Sequence, residues 1–293
     1  MTTLPDPQKT IAFQGLPGAN SHLACSAVYP DMTPLPCASF DDAFAAVQDG
    51  GAVYAMIPVE NSVMGRVADI HHLLPESGLY IVGEHFQRVN HHLLGVPGAT
   101  LEDITRVESQ LPALSQCRNF IRKHGFEQFA AADTAGAARD VATRGDRAVA
   151  AIASSLAAEI YDLDTLASGI EDADHNTTRF VVMSRRPDVP DNNGGTFVTS
   201  LVFRVRNVPA ALYKAMGGFA TNNINITKLE SYLVDGHFTA AQFYADVEGH
   251  PDDRSLKLAI EELTFYSKEV KILGTYSAHP YRLESAPSDE DES

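Results

Sequence analysis

Apolar residues recur along this chain in short runs separated by amphipathic stretches. Residues 10–14 (TIAFQ) form one such run, followed by a Gly15–Gly18 turn and a helical pattern from about Ser21. Further strand-like runs fall at 52–59 (AVYAMIPV), 79–82 (LYIV), 92–96 (HLLGV), 148–152 (AVAAI) and 179–183 (RFVVM). Between them, 40–48, 112–124, 134–144 and 153–161 read as helices. Strands alternating with helices predict an α/β domain with a largely parallel sheet. Each half repeats a strand, a helix and an apolar strand, which suits two lobes around a cleft.

The pattern changes at 186–196 (RPDVPDNNGGT), whose prolines, glycines, asparagines and aspartates make a linker. Beyond it, 199–206 alternate, 209–221 are helical behind Pro209, and 224–234 are strand-like. Residues 238–247 alternate again, 253–266 form an amphipathic helix, and 269–276 close the unit. The order β-α-β-β-α-β predicts a ferredoxin-like domain over 198–277. The acidic, aromatic-free end of the chain, 284–293, has too little apolar surface to order itself.

Composition narrows the class of function. The chain has 293 residues, enough for one sizeable domain and a smaller one, and is 44% hydrophobic and 20% charged, as ordinary globular proteins are. Its net charge of −16 repels phosphate backbones, so nucleic acid is not an expected partner. No apolar run reaches the roughly 18 residues of a membrane span. The opening residues, with Pro5 and Pro7, lack a signal-peptide core, and Cys25, Cys37 and Cys117 form no CxxC pair. A cytoplasmic protein with reduced thiols and no metal site is expected.

Four clusters could carry chemistry. Gly15-Leu16-Pro17-Gly18-Ala19-Asn20-Ser21 places a tight turn before a helix start, which is either a plain connection or a cradle for a carboxylate. Asn61 and Ser62 follow a strong apolar strand, where open α/β sheets bind ligands, although both residues also cap helices. Asp133-Thr134-Ala135-Gly136 caps a helix whose small residues permit close approach. In Asn176-Thr177-Thr178-Arg179-Phe180, Arg179 pairs either with a substrate carboxylate or with a structural partner such as Glu60. The doublets His71-His72 and His91-His92 point to different sides of the backbone and lack a carboxylate at ligand spacing.

Taken in order, GLPGANS (15–21), IPVENS (57–62) with Gly65, DTAGAA (133–138), AAIASSLAAEIYDL (150–163) and NTTRF (176–180) resemble the prephenate dehydratase catalytic domain. Residues 207–249, including VPAALYKAMGGFATNNINITKLES, resemble the regulatory ACT domain that follows it in that family. The resemblance implies a two-lobed, periplasmic-binding-protein-like domain over 10–186, with lobe one at 10–88 plus 166–186 and lobe two at 89–165. A linker at 187–197, the ACT domain at 198–277 and an acidic tail at 278–293 complete the expected organisation.

By resemblance, Thr178 is the essential hydroxyl. Gly18, Asn20, Ser21, Asn61, Ser62, Ser109, Thr134, Ala135, Arg179 and Phe180 form the substrate site. Ala210, Ala211, Leu212, Asn225, Glu230 and Ser231 form an effector site for L-phenylalanine. The implied reaction converts prephenate to phenylpyruvate without metal or organic cofactor, in a homodimer or homotetramer. Arogenate dehydratase, the same elimination on the transaminated substrate, and a non-catalytic amino-acid sensor are the alternatives. Two departures stand out. Gln110 occupies a position that is usually histidine. Ala210-Ala211-Leu212 and Glu230-Ser231-Tyr232-Leu233 replace Gly-Ala-Leu and Glu-Ser-Arg-Pro, the first adding a methyl near a backbone approach and the second removing a cation.

Overall fold

A computed structural model describes residues 6–67, 70–206, 208–234 and 237–284, so the acidic end at 285–293 lies outside the described residues. After a 3-10 turn at Pro7–Lys9, the first part of the chain runs β1 (Thr10–Gln14), α1 (Asn20–Val28), β2 (Thr33–Cys37), α2 (Phe40–Gln48), β3 (Tyr54–Asn61), β4 (Gly65–Arg66), α3 (Ile70–Glu76) and β5 (Tyr80–Arg88). It continues with β6 (His92–Gly95), β7 (Arg106–Ser109), α4 (Leu111–Gln116), α5 (Arg118–His124), β8 (Glu127–Ala130), α6 (Thr134–Arg144), β9 (Val149–Ala153), α7 (Ser155–Tyr161), β10 (Asp164–Ser168) and β11 (Thr177–Ser184). The remainder is β12 (Phe197–Val205), α8 (Ala211–Thr221), β13 (Ile226–Val234), β14 (His237–Glu248), α9 (Arg254–Tyr266), β15 (Ser267–Ser277) and α10 (Tyr281–Glu284).

Local chemistry explains several of these boundaries. A reciprocal capping box between Ser39 and Asp42 starts α2, and the Asp133 carboxylate accepts from Gly136 N to start α6. Gly125 and Gly145 end α5 and α6 in the left-handed conformation that glycine adopts freely. The helix expected over 112–124 is two helices that meet at Cys117, whose φ of −113° is not helical.

The part of the chain from β1 to β11 is a two-lobed α/β arrangement with one sheet per lobe. The first sheet has the order β2-β1-β3-β11-β5, with β4 beside β3; the second has the order β10-β6-β9-β7-β8. Parallel pairing holds for β1 with β2 and β3, and for β7 with β8 and β9, whereas β6 runs antiparallel to both β9 and β10. The second sheet is therefore mixed, not largely parallel. Because β10 pairs with β6, this sheet reaches Ser168, beyond the expected lobe boundary at 165. Two cores sandwich it: Ala137, Val141, Ala157 and Leu163 on one face, Leu114, Ile121 and Phe126 on the other.

By compactness the chain divides into one unit of 1–67 with 85–180 and another of 68–84 with 181–293. Segment 68–84 thus groups with the C-terminal part, which the residue pattern did not anticipate. Within that second unit β12 to β15 form an antiparallel sheet of order β13-β14-β12-β15. Leu201, Phe203, Phe243 and Val247 on one face pack against Phe219 of α8 and Leu256 and Leu263 of α9. The β-α-β-β-α-β order follows directly from these elements.

Candidate active site

The end of β3 lies beside the start of β11, where Ser62 N donates to Thr177 O (2.9 Å). Ser62 Oγ closes the same junction by donating to His175 O (2.5 Å) and accepting from Thr177 N (2.9 Å). This clamp presents Asn61, Asn176 and Thr178 together. Asn61 Nδ2 donates to Asn176 Oδ1 (2.8 Å) and to Thr178 Oγ1 (3.0 Å). Asn61 Oδ1 accepts from the amides of Val63 (3.0 Å) and Met64 (2.9 Å), fixing the following loop.

The network extends into the second lobe. Asn176 Nδ2 donates to Gln116 Oε1 (3.1 Å), and the same oxygen accepts from His91 Nε2 (2.7 Å). Since an amide oxygen only accepts, His91 carries its proton on Nε2. His91 is 3% exposed, and burial holds its pKa below the ordinary imidazole value despite the opposing pulls of Gln116 and Glu171. The chain crosses between sheets at both ends of this network. Val89 N donates to Asn176 O (2.9 Å) and Ile170 N donates to His91 O (3.2 Å), so the two crossings are bonded to each other.

The Gly15–Gly18 turn bridges the lobes directly. Gly18 O accepts from Ser154 Oγ (2.5 Å), and Pro17 O accepts from the Tyr161 hydroxyl (2.9 Å). Gly18 N donates to Nδ1 of His22 (3.0 Å), whose ring stacks on Phe13 and whose pKa burial also lowers. Only glycine fits at position 18: φ is +91° and an added Cβ would stand 2.8 Å from Ala157 Cα. Asn20 Oδ1, at the start of α1, is buried without a hydrogen-bond partner among the described residues, and Ser21 beside it is buried.

Other expected site residues have different surroundings. Arg179 is 2% exposed and pairs with Glu60 at 2.9 Å, the structural alternative of the two left open by the sequence. Phe180 lies in the core, and Ser109 Oγ is buried and donates to Ile152 O (2.6 Å). Thr134 and Ala135 are buried in the first turn of α6. Gln110 caps α4, its carbonyl accepting from Leu114 N. In the second unit Ala210 precedes α8 with φ +60°, and Ala211 and Leu212 begin that helix. Asn225 O accepts from Glu248 N, while Glu230 and Ser231 lie on the edge strand β13. Lys228 Nζ donates to Glu230 Oε1 (3.3 Å).

Sequence reasoning missed His91, Gln116 and Asn176 as members of the site. Asn176 lies inside a segment that carried the resemblance and Gln116 does not, but only the fold places their amides between Thr178 and a buried imidazole.

The chain is similar to known proteins over most of its length. The family model described as prephenate dehydratase matches residues 11–188. A bifunctional N-acyl-homoserine lactone acylase/prephenate dehydratase of Komagataeibacter europaeus is 52% identical over 275 residues, covering 94% of this chain and 98% of that protein. The chloroplastic arogenate dehydratase/prephenate dehydratase 1 of Arabidopsis thaliana is 39% identical over 285 residues, covering 92% of this chain and 72% of its own. The crystal structure of a prephenate dehydratase from Arthrobacter aurescens in complex with L-Phe superposes with a TM-score of 0.84 at 29% identity, covering 95% and 92% of the two chains.

Proposed function

The chain belongs to the prephenate dehydratase family, and from that premise we propose that Thr178 supplies the hydrogen bond on which its reaction depends. The reaction converts prephenate to phenylpyruvate. The electron pair of the ring carbon–carboxylate bond moves into the ring as carbon dioxide departs, and the hydroxyl across the ring leaves with a proton as water. Aromatisation makes the overall change downhill, so the barrier lies in the poor leaving group.

The observation that carries the assignment is the donation from Asn61 Nδ2 to Thr178 Oγ1. With that lone pair engaged, the Thr178 proton is directed away from Asn61 and towards a ligand. A threonine hydroxyl has no pKa near neutrality, so it acts by positioned hydrogen bonding to the departing oxygen. Asn61 is then a positioning residue. Asn20 and Ser21 at the start of α1 remain the proposed contacts for a substrate carboxylate, whereas the expected Gly18 contact is replaced by donation of its amide to His22 Nδ1.

The β-α-β-β-α-β unit is proposed as an ACT regulatory domain that binds L-phenylalanine in a homodimer or homotetramer, supported by the related structure solved with L-Phe. Arogenate is proposed as a second substrate, in line with the plant relative. A second activity, hydrolysis of N-acyl-homoserine lactones, is favoured by the 52% identity to the bifunctional acylase. The purified protein should release phenylpyruvate and carbon dioxide from prephenate in equal amounts. Absence of phenylpyruvate from folded protein would overturn the dehydratase reading. Release of free homoserine lactone from an N-acyl substrate would establish the acylase activity independently.

A further inference from the structure

Holding a dianionic substrate in a protein of net charge −16 requires a local cation. Arg179, the cation nearest Thr178 in sequence, is buried and paired with Glu60. A cavity of about 170 Å³ supplies another. Gln116 and Asn176 of the Thr178 network line it, together with Val63 and Met64, Arg118, and the acidic pair Glu171 and Asp172.

Arg118 is the first residue of α5 and is exposed, with no hydrogen bond or ion pair among the described residues. That position is electrostatically unfavourable, since the amino end of a helix disfavours cations, whereas Arg122, Lys123 and His124 sit in the last turn, where cations are favoured. The two carboxylates are held by backbone amides. Glu171 Oε2 accepts from His91 N (2.9 Å), and Asp172 accepts from Asn119 N (3.1 Å to Oδ1, 3.3 Å to Oδ2).

Building on the dehydratase reading, we propose that this cavity is the subsite for the substrate's three-carbon side chain, with Arg118 binding its carboxylate and Glu171 and Asp172 reading its second carbon. The planar guanidinium matches a carboxylate through two parallel hydrogen bonds. A keto group at the second carbon offers the acidic pair only lone pairs, whereas an ammonium group offers charge and protons. The subsite therefore also admits the amino-acid form, arogenate, with Glu171 and Asp172 as its selective contacts.

Steady-state kinetics on prephenate and arogenate with the full-length protein test this. Arg118→Ala should lower kcat/KM for both substrates by roughly ten- to a hundredfold, chiefly through KM, as expected for loss of a charge-assisted bond. Arg118→Lys should recover part of that loss. Glu171→Gln keeps an oxygen for His91 N and should lower kcat/KM for arogenate severalfold more than that for prephenate. Unchanged thermal midpoints would show that the variants stay folded. Wild-type values for both substrates retained in Arg118→Ala would overturn the subsite, as would an equal loss for both substrates in Glu171→Gln. Failure of the dehydratase reading is distinguishable, because wild-type protein would then turn over neither substrate.

Discussion

Asn61 has two amide hydrogens and one amide oxygen, and each has a partner: Asn176 and Thr178 for the hydrogens, the Val63 and Met64 amides for the oxygen. Asn61→Asp keeps the oxygen for the loop but replaces both donors with an acceptor. Thr178 would then donate to the new carboxylate and be lost to the substrate. A fall in kcat of about a hundredfold with little change in KM is expected, the size typical for loss of one preorganised donor; kcat within twofold of wild type would contradict the positioning role. Ala210 makes a separate case. The sequence suggested a crowded methyl where relatives have glycine, but the structure gives a different reason, a left-handed backbone at φ +60°. Ala210→Gly should raise stability by about 1 kcal/mol, the cost of that conformation for an L side chain, read from thermal unfolding.

Among the elements, those with their own start signals were readable in the sequence. The Ser39 box and the Asp133 cap put α2 and α6 at their expected boundaries, 40–48 and 134–144. Strands without an apolar signature were missed. Every residue of β8 (EQFA) is exposed, because it is the edge of its sheet, and β2 (TPLPC) contains two prolines at another edge. The site was legible only as segments. Asn61 stood out by its place after an apolar strand and Thr178 by the family resemblance, whereas the link through Gln116 to His91 depends on two chain crossings brought side by side. Those crossings give the site a pH dependence. Burial lowers the pKa values of His91 and His22 from 6.5, so the native protein binds fewer protons there than the unfolded chain. The stability conferred by the neutral rings is complete above about pH 6.5 and declines as the pH falls from there towards the lowered native values. Denaturant midpoints should therefore drop on acidification from pH 7.5 to 5.5, and His91→Gln should flatten that slope. An unchanged slope would remove His91 as its source.

For the whole molecule, two lobes carry the chemistry and an antiparallel β-α-β-β-α-β unit follows them, an order visible in the sequence from the change of periodicity after residue 196. The grouping of 68–84 with the C-terminal unit was not visible, because an apolar run does not announce which core will receive it. If the C-terminal unit senses L-phenylalanine, adding the amino acid should raise the unfolding midpoint and change prephenate turnover together, through a coupling of about 1–3 kcal/mol. A raised midpoint with unaltered turnover would show binding without regulation.

The role proposed for the Thr178 hydroxyl, oriented by Asn61, is to assist departure of the ring hydroxyl. Its most direct test is kcat at saturating prephenate for Thr178→Ser and Thr178→Ala beside wild type. Partial activity is expected in the serine enzyme, which keeps the hydroxyl with a looser rotamer, and near-complete loss in the alanine enzyme. Equal kcat in the two variants would contradict that role.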